Sequence, residues 1–386
     1  MWILIFLFFL STFILGWTLF GYYIWLFLFG ILKKETNPIS DILNNFPLVS
    51  LIVPTYNEEN FVLKKIENMR SFDYPPDKLQ IIFVDGGSCD RTLEIIKKNK
   101  TSYMELLVSS SKGKTNQLNF ALKYCKGEIV FITDVDSFTS PNVIKEALKE
   151  FERDKNIYVV GVYSDPRSSY KIERYYWLTQ NKGRLLETQA FTSSIVIAVC
   201  YSFRKGLINE FPCDVVADDI YISYLANSSG YRVSYIDRCY AEELRGPEHI
   251  KDFLSHKFRK SNAFLRESLR FFYQVSEMNP IWKTIFLTKI SQMIFIPCFF
   301  FFYIILGGAL ISLRRWDVFF LSIFFIFLLF LLTSKIFSLI RKEEKEKFSL
   351  EVMTKTFLLS IFILFITGIS FLFFRQDSNY KKINVS

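Results

Sequence analysis

The sequence predicts an α/β protein whose mostly parallel, doubly wound sheet is bracketed by membrane helices at both ends. Short apolar runs alternate with segments of helical spacing from Pro47 to about Phe151, the order that builds βαβ units. One such run, Ile129–Thr133, reads as a strand buried on both faces, and it ends in Asp134-Val135-Asp136. The 386 residues are 51% hydrophobic, with 43 Phe and a mean hydropathy of +0.22, too apolar for one soluble domain.

Met1–Leu32 contains no charged residue and exceeds the roughly 20 residues that cross a bilayer. It lacks the short core, basic start and small-residue cleavage site of a secretory signal peptide, so it reads as a retained anchor. Val49–Val53 is a strand ended by Pro54, Glu58–Arg70 has helical spacing, and Gln80–Val84 is a second strand closed by Asp85-Gly86-Gly87-Ser88. Helix Asp90–Lys98, strand Leu106–Val108, helix Lys114–Lys126 and strand Ile129–Thr133 follow. Ser140-Pro141 predicts an N-cap with proline at the first helical position, for a helix reaching about Phe151. Beyond it come strand Ile157–Tyr163, helix Ile172–Thr188, an extended stretch Ser194–Phe203 and helix Asp218–Ser228.

Three further spans, Ile290–Leu313, Val318–Ile340 and Thr356–Phe374, close the chain, with Lys289 and Lys335 expected at the membrane interface. The loop after the third span carries Arg341, Lys342, Lys345, Lys347 and Lys355, against Arg314 and Arg315 after the second. The positive-inside rule therefore predicts a multi-pass protein of the cell membrane whose large domain and basic loop are cytoplasmic, with the tail outside. The expected divisions are an anchor (1–32), an α/β domain (33–245), an amphipathic interfacial region (246–280), three spans (281–376) and a tail (377–386).

Six cysteines without Cys-x-x-Cys spacing and only two histidines exclude a zinc site and a disulfide scaffold. The net charge of +9 is spread along the chain without a nucleic-acid reading motif, so membrane lipid headgroups and a diphosphate-bearing substrate explain it better than nucleic acid. Gly113-Lys114-Thr115 resembles the end of a P-loop, but Val108 stands where that motif needs glycine. The absence of Gly-x-Gly-x-x-Gly after the first strand argues against a dinucleotide oxidoreductase.

Three acidic clusters sit at element boundaries: Asp85, Asp134 with Asp136, and Asp218 with Asp219. Carboxylates beyond the C-terminal ends of strands suit a hard cation, Mg²⁺ or Mn²⁺, that also grips phosphates. The plainer role for Asp218-Asp219 is capping a helix. Tyr175, Tyr176 and Trp177 fit either a sugar platform or the core.

Taken in order, Val49–Glu59 with its Pro54-Thr55-Tyr56-Asn57-Glu58, Val84–Thr92, Lys112-Gly113-Lys114, Asp134-Val135-Asp136 and Ala217-Asp218-Asp219 resemble the glycosyltransferase family 2 pattern of the GT-A fold. The resemblance covers roughly Pro47 to Arg259. It implies a nucleotide-sugar donor, a divalent metal and inversion at the anomeric carbon. It assigns the nucleotide to Thr55, Tyr56, Glu58 and Asp85, with Lys114 also on the donor side. It assigns the metal and donor to Asp134 and Asp136, and the general base to Asp219 of the Asp218-Asp219 pair. Gly86 departs from the family, which often has a second aspartate there. The Gln-x-x-Arg-Trp of polysaccharide synthases is replaced by His256-Lys257-Phe258-Arg259-Lys260. Lys257 and Arg259 are expected either beside the departing diphosphate or on the basic face of an interfacial helix, Ile250–Tyr273. The acceptor expected is a polyprenyl-linked compound or a glycan. The rival readings are a processive polysaccharide synthase and a catalytically silent membrane scaffold.

Overall fold

The computed structural model describes residues 1–32, 43, 45–340 and 346–373. Helices α1 (Trp2–Gly16) and α2 (Tyr22–Leu32) are joined by one π-helical turn. Then follow β1 (Val49–Thr55), α3 (Val62–Arg70), β2 (Leu79–Asp85), α4 (Thr92–Asn99), β3 (Met104–Val108), α5 (Lys114–Leu122), β4 (Ile129–Thr133) and β5 (Ser137–Thr139). The chain continues through α6 (Val143–Arg153), β6 (Ile157–Pro166), α7 (Lys171–Ala190), β7 (Cys200–Arg204), α8 (Asp218–Ser228) and β8 (Arg232–Glu243). It ends in α9 (Ile250–Phe271), α10 (Pro280–Ser312), α11 (Trp316–Leu339) and α12 (Leu350–Phe373). The described residues form two compact units, one within 43–177 and 192–248, the other within 1–32, 178–191, 249–340 and 346–373.

The first unit is built on one eight-stranded sheet of order β3-β2-β1-β4-β7-β6-β8-β5. β2 and β4 are buried at every position, as their unbroken apolar runs predict for strands covered on both faces. Strands β1 to β4 pair parallel, but β7 runs antiparallel to both β4 and β6, and β5 antiparallel to β8. Pro54 does not end β1, which continues along β2 to Thr55. Its pairing with β4 already stops at Ile52, so the missing N–H of proline interrupts no ladder on that side. The Ser140 cap is also corrected. The cap of α6 is Asn142, without a side-chain hydrogen bond. Ser140 Oγ instead accepts from Tyr240 N at 3.2 Å, because the segment is an edge partner of β8. Of Ser194–Phe203 only Cys200–Arg204 is strand, and Trp177 is core, donating to Glu173 at 2.8 Å.

In the second unit four helices are long and apolar enough to cross a membrane: Trp2–Leu32, Pro280–Ser312, Trp316–Leu339 and Leu350–Phe371. Phe8 stacks on Tyr303 at 4.9 Å and packs with Ile5, Leu310 and Val318, which seals α1 against α10 and α11. Lys289 is largely buried and pairs at 2.8 Å with the fully buried Glu187, which also accepts from Tyr22 at 2.8 Å. Charge within such a helix is tolerated when it is paired and hydrogen-bonded in this way. Lys335 is exposed. The basic residues Arg341, Lys342 and Lys345 and the tail 377–386 lie outside the described residues.

Candidate active site

The carboxylates converge beyond the C-terminal ends of β1, β2 and β4, where a parallel sheet opens a crevice. Thr55 (1% exposed) closes β1, and the exposed Tyr56 follows it. Asn57 takes a left-handed conformation at φ 51°, which its short amide tolerates. From there the β1 loop is stitched to the β2 loop. Asn57 N donates to Ser88 Oγ (2.9 Å), Cys89 N to Asn57 Oδ1 (2.8 Å), Glu58 N to Thr92 Oγ1 (2.7 Å) and Glu59 N to Asp90 Oδ2 (3.1 Å). This fixes both loops before any ligand arrives.

Asp85 is fully buried. Its Oδ2 accepts from Gly87 N and Ser88 N at 2.9 and 2.8 Å, and its Oδ1 from Ser88 Oγ and Thr55 Oγ1 at 2.5 and 3.2 Å. As placed, it shapes the turn. Gly86 has a physical reason. A Cβ there would lie 2.7 Å from the amide nitrogen of Gln117, which donates to the carbonyls of Thr55 and Val84 at 2.6 and 3.0 Å.

Lys114, at the start of α5, is the hinge of the charged cluster. Its ammonium is 2.9 Å from Asp134 Oδ1 and 3.2 Å from Asp218 Oδ1. Burial alone would lower its pKa, but Asp134 and Asp218 outweigh that and hold it above the ordinary lysine value. Asp218 is buried and accepts from the Tyr201 hydroxyl at 2.6 Å; burial, with Asp218 next, pushes that phenol well up and keeps its proton. Asp219 is half-buried, accepting from Ala198 N (3.0 Å) and Ile220 N (3.0 Å). No side-chain hydrogen bond caps α8, whose N-cap is Ala217. The two aspartates thus differ: Asp218 is clamped by Lys114 and Tyr201, and Asp219 is the more accessible carboxylate.

Asp136 is pushed up to about 7, first by burial, then by the charges of Asp134 and Glu243. Arg245 Nε lies 3.3 Å from its Oδ2, and the same guanidinium pairs with Glu58 and stacks 4.4 Å over Phe61. Beneath the turn the fully buried Lys65 donates to Thr133 Oγ1 (2.8 Å) and Ser137 O (2.5 Å). Among the described residues no group of three or more His, Cys, Asp or Glu forms a metal cage. The acceptor oxygens of Asp134 and Asp136, crowded enough to raise one pKa, fit a hard divalent cation that completes its shell with phosphate oxygens and water.

Sequence reasoning missed Lys65, Gln117, Tyr201, Glu243 and Arg245. Lys65 left a signal, since it falls on the apolar stripe Val62, Ile66, Met69 of α3. Arg245 left none, lying in a loop after a strand the sequence did not reveal. Lys257 and Arg259 belong to the other unit, on α9. There Lys257 is buried with its ammonium 5.4 Å from the Phe253 ring, and Arg259 is exposed. On the same helix Phe253 and Leu265 are buried in that unit, and Phe272, just beyond its end, is exposed.

Residues 50–211 match the family model described as Glycosyl transferase family 2. This is a glycosyltransferase family 2 domain. The match contains Asp134 and Asp136 but stops before Asp218 and Asp219. The fold is similar to that of a mannosyltransferase from Pyrobaculum calidifontis, solved in complex with GDP-Man and Mn²⁺, with TM-score 0.69 and 21% identity over 95% of this chain and 99% of that one. That likeness establishes a GT-A fold. A poly(ribitol-phosphate) beta-N-acetylglucosaminyltransferase of Staphylococcus aureus is 34% identical over 25% of this chain and 18% of its own length. A dolichyl N-acetyl-alpha-D-glucosaminyl phosphate 3-beta-D-2,3-diacetamido-2,3-dideoxy-beta-D-glucuronosyltransferase of Methanococcus voltae is 27% identical over 28% of this chain and 35% of its own. The matched stretches span 18% and 35% of the lengths of these curated relatives.

Proposed function

We propose that the chain is a membrane-anchored inverting glycosyltransferase that moves a sugar from a nucleotide-diphosphate donor to a lipid-linked or glycan acceptor. The observation that carries this is the meeting of Asp134, Asp136, Asp218 and Lys114 at the strand ends of a family 2 domain. Relatives named for a dolichyl-linked sugar phosphate and for poly(ribitol-phosphate) support both acceptor classes. Four apolar helices support an acceptor met at a lipid surface.

The residues divide the work. Thr55, Tyr56 and Glu58, on the stitched loops, receive the nucleotide, with Asp85 holding the loop's shape. Asp134 and Asp136 would hold Mg²⁺ or Mn²⁺, which would supply charge to offset the departing diphosphate. Lys114 holds Asp134 and Asp218 in place. Asp219 takes the proton from the acceptor hydroxyl as that oxygen approaches the anomeric carbon from the face opposite the diphosphate. For an acceptor phosphate, already ionised at neutral pH, Asp219 orients the nucleophile instead. The domain and the basic loop lie in the cytoplasm, where nucleotide-sugars are made.

Asp136→Asn in the full-length protein tests the reading. Metal-dependent donor binding and transfer should both be lost while the fold is kept. Undiminished activity in excess chelator would overturn it.

A further inference from the structure

Each carboxylate of the Asp134/Asp136 pair has a cationic side chain beside it. Lys114 Nζ is 2.9 Å from Asp134, and Nε of the 8%-exposed Arg245 is 3.3 Å from Asp136, while the same guanidinium pairs with Glu58 and lies 4.4 Å from the Phe61 ring centroid. These contacts connect three loops: the one after β1 (Glu58, Phe61), the turn after β4 (Asp136) and the segment after β8 (Arg245). A buried guanidinium is costly to desolvate, and here two carboxylates and an aromatic ring offset that cost.

We infer that Arg245 is a counter-ion to Asp136, at a charge position that a divalent cation would take when the donor diphosphate is bound. The inference rests on the proposed glycosyltransferase reading and adds a regulatory consequence to it. Without a diphosphate, a metal ion must displace or share the pocket with a fixed positive charge, so free metal binds poorly. With one, the phosphate oxygens give both the metal and the guanidinium a partner, and the two cations cease to compete. Metal and donor therefore bind as a unit. Arg245 is a positioning residue that enforces this order, acting through Asp136.

The test uses the full-length protein in detergent and the EPR signal of free Mn²⁺, with Mn²⁺ alone and Mn²⁺ plus UDP or GDP as probes. Wild type should bind Mn²⁺ weakly alone and more tightly with a nucleoside diphosphate. Arg245→Met should bind Mn²⁺ alone tighter than wild type by on the order of tenfold, since one nearby like charge is removed, and should lose that advantage when a diphosphate is present. Phe61→Leu, which changes no charge but takes away the platform, should show a smaller gain in the same direction, and it reports even if Arg245→Met fails to fold. Mn²⁺ affinity that is unchanged or weaker in both variants overturns the inference while leaving the enzyme reading standing. Wild-type protein that binds no Mn²⁺ with either nucleotide overturns both.

Discussion

Gly86→Ala is the smallest change with a magnitude that follows from the structure. The added Cβ would lie 2.7 Å from Gln117 Nε2 and 3.0 Å from its Cδ, inside contact distance. Gly86 does not occupy the left-handed region, so alanine brings no backbone strain of its own. The 4%-exposed Gln117 has no open space to retreat into without releasing Thr55 O or Val84 O. Each lost hydrogen bond is worth about 0.5–1.5 kcal/mol, so the expected loss is about 1–3 kcal/mol. At about 2–4 °C per kcal/mol for a domain of this size, the thermal midpoint should fall by roughly 2–12 °C. Donor affinity should fall with it, since these carbonyls end β1 and β2 beside the nucleotide loops. The assay is a double-mutant cycle with Gln117→Ala, read as thermal midpoints in detergent. If the contact is the cause, Gly86→Ala costs almost nothing once Gln117 is truncated, leaving a coupling of at least about 1 kcal/mol. Additive losses, or a single variant as stable as wild type, would refute the explanation for the missing family aspartate.

Asp219→Asn should slow transfer to a hydroxyl acceptor by on the order of 10²–10⁴ with donor binding retained, and a wild-type rate would leave Asp219 a structural residue of α8. Lys65 gives a pH signature. Burial lowers its pKa from 10.5 to about 8, so between about pH 8 and 10.5 the unfolded chain still binds a proton that the folded one has released. Stability of wild type relative to Lys65→Met should therefore rise with pH across that window, by roughly 3 kcal/mol in total, and be flat below it; a relative stability that falls would mean that the fold raises the pKa of Lys65 instead of lowering it. Cysteines introduced one at a time into a cysteine-free background should be shielded from an impermeant thiol reagent beside Glu344 and reactive beside Ser378 in intact cells. The opposite pattern would invert the topology and separate the site from its donor pool.

Much of this was legible because strong local patterns coincided with tertiary roles. Ile129–Thr133 and Asp218–Ser228 have the ends the sequence assigned, since each boundary is a switch between an apolar run and acidic or small polar residues. β5 and β8 were not legible. The first has three residues, and the second carries exposed Arg238 and Tyr240 inside a strand that changes register against β6, which breaks the period-two signal. Ser140 looked like a cap because its local sequence is that of one, and a long-range partner, Tyr240, took its hydroxyl. The acidic members of the site were visible as residue types at strand ends. Of the cations only Lys114 was visible, through the family pattern; Lys65 and Arg245 were not, because they acquire meaning only from partners 68 to 187 residues away, and pairing across that distance leaves no periodicity to read.

The most direct measurement is sugar transfer by the full-length protein in isolated membranes. It would be supplied with a panel of labelled UDP-, GDP- and other nucleotide-sugars, with Mn²⁺ or Mg²⁺ added or chelated, and with Asp136→Asn membranes as control. The account predicts that at least one donor yields a labelled lipid-linked or glycan product, that chelation abolishes it, and that the Asp136→Asn membranes give none. Labelled product formed equally in chelator, or equally by the variant, would contradict the central claim that the Asp134/Asp136 pair carries a metal-assisted glycosyl transfer.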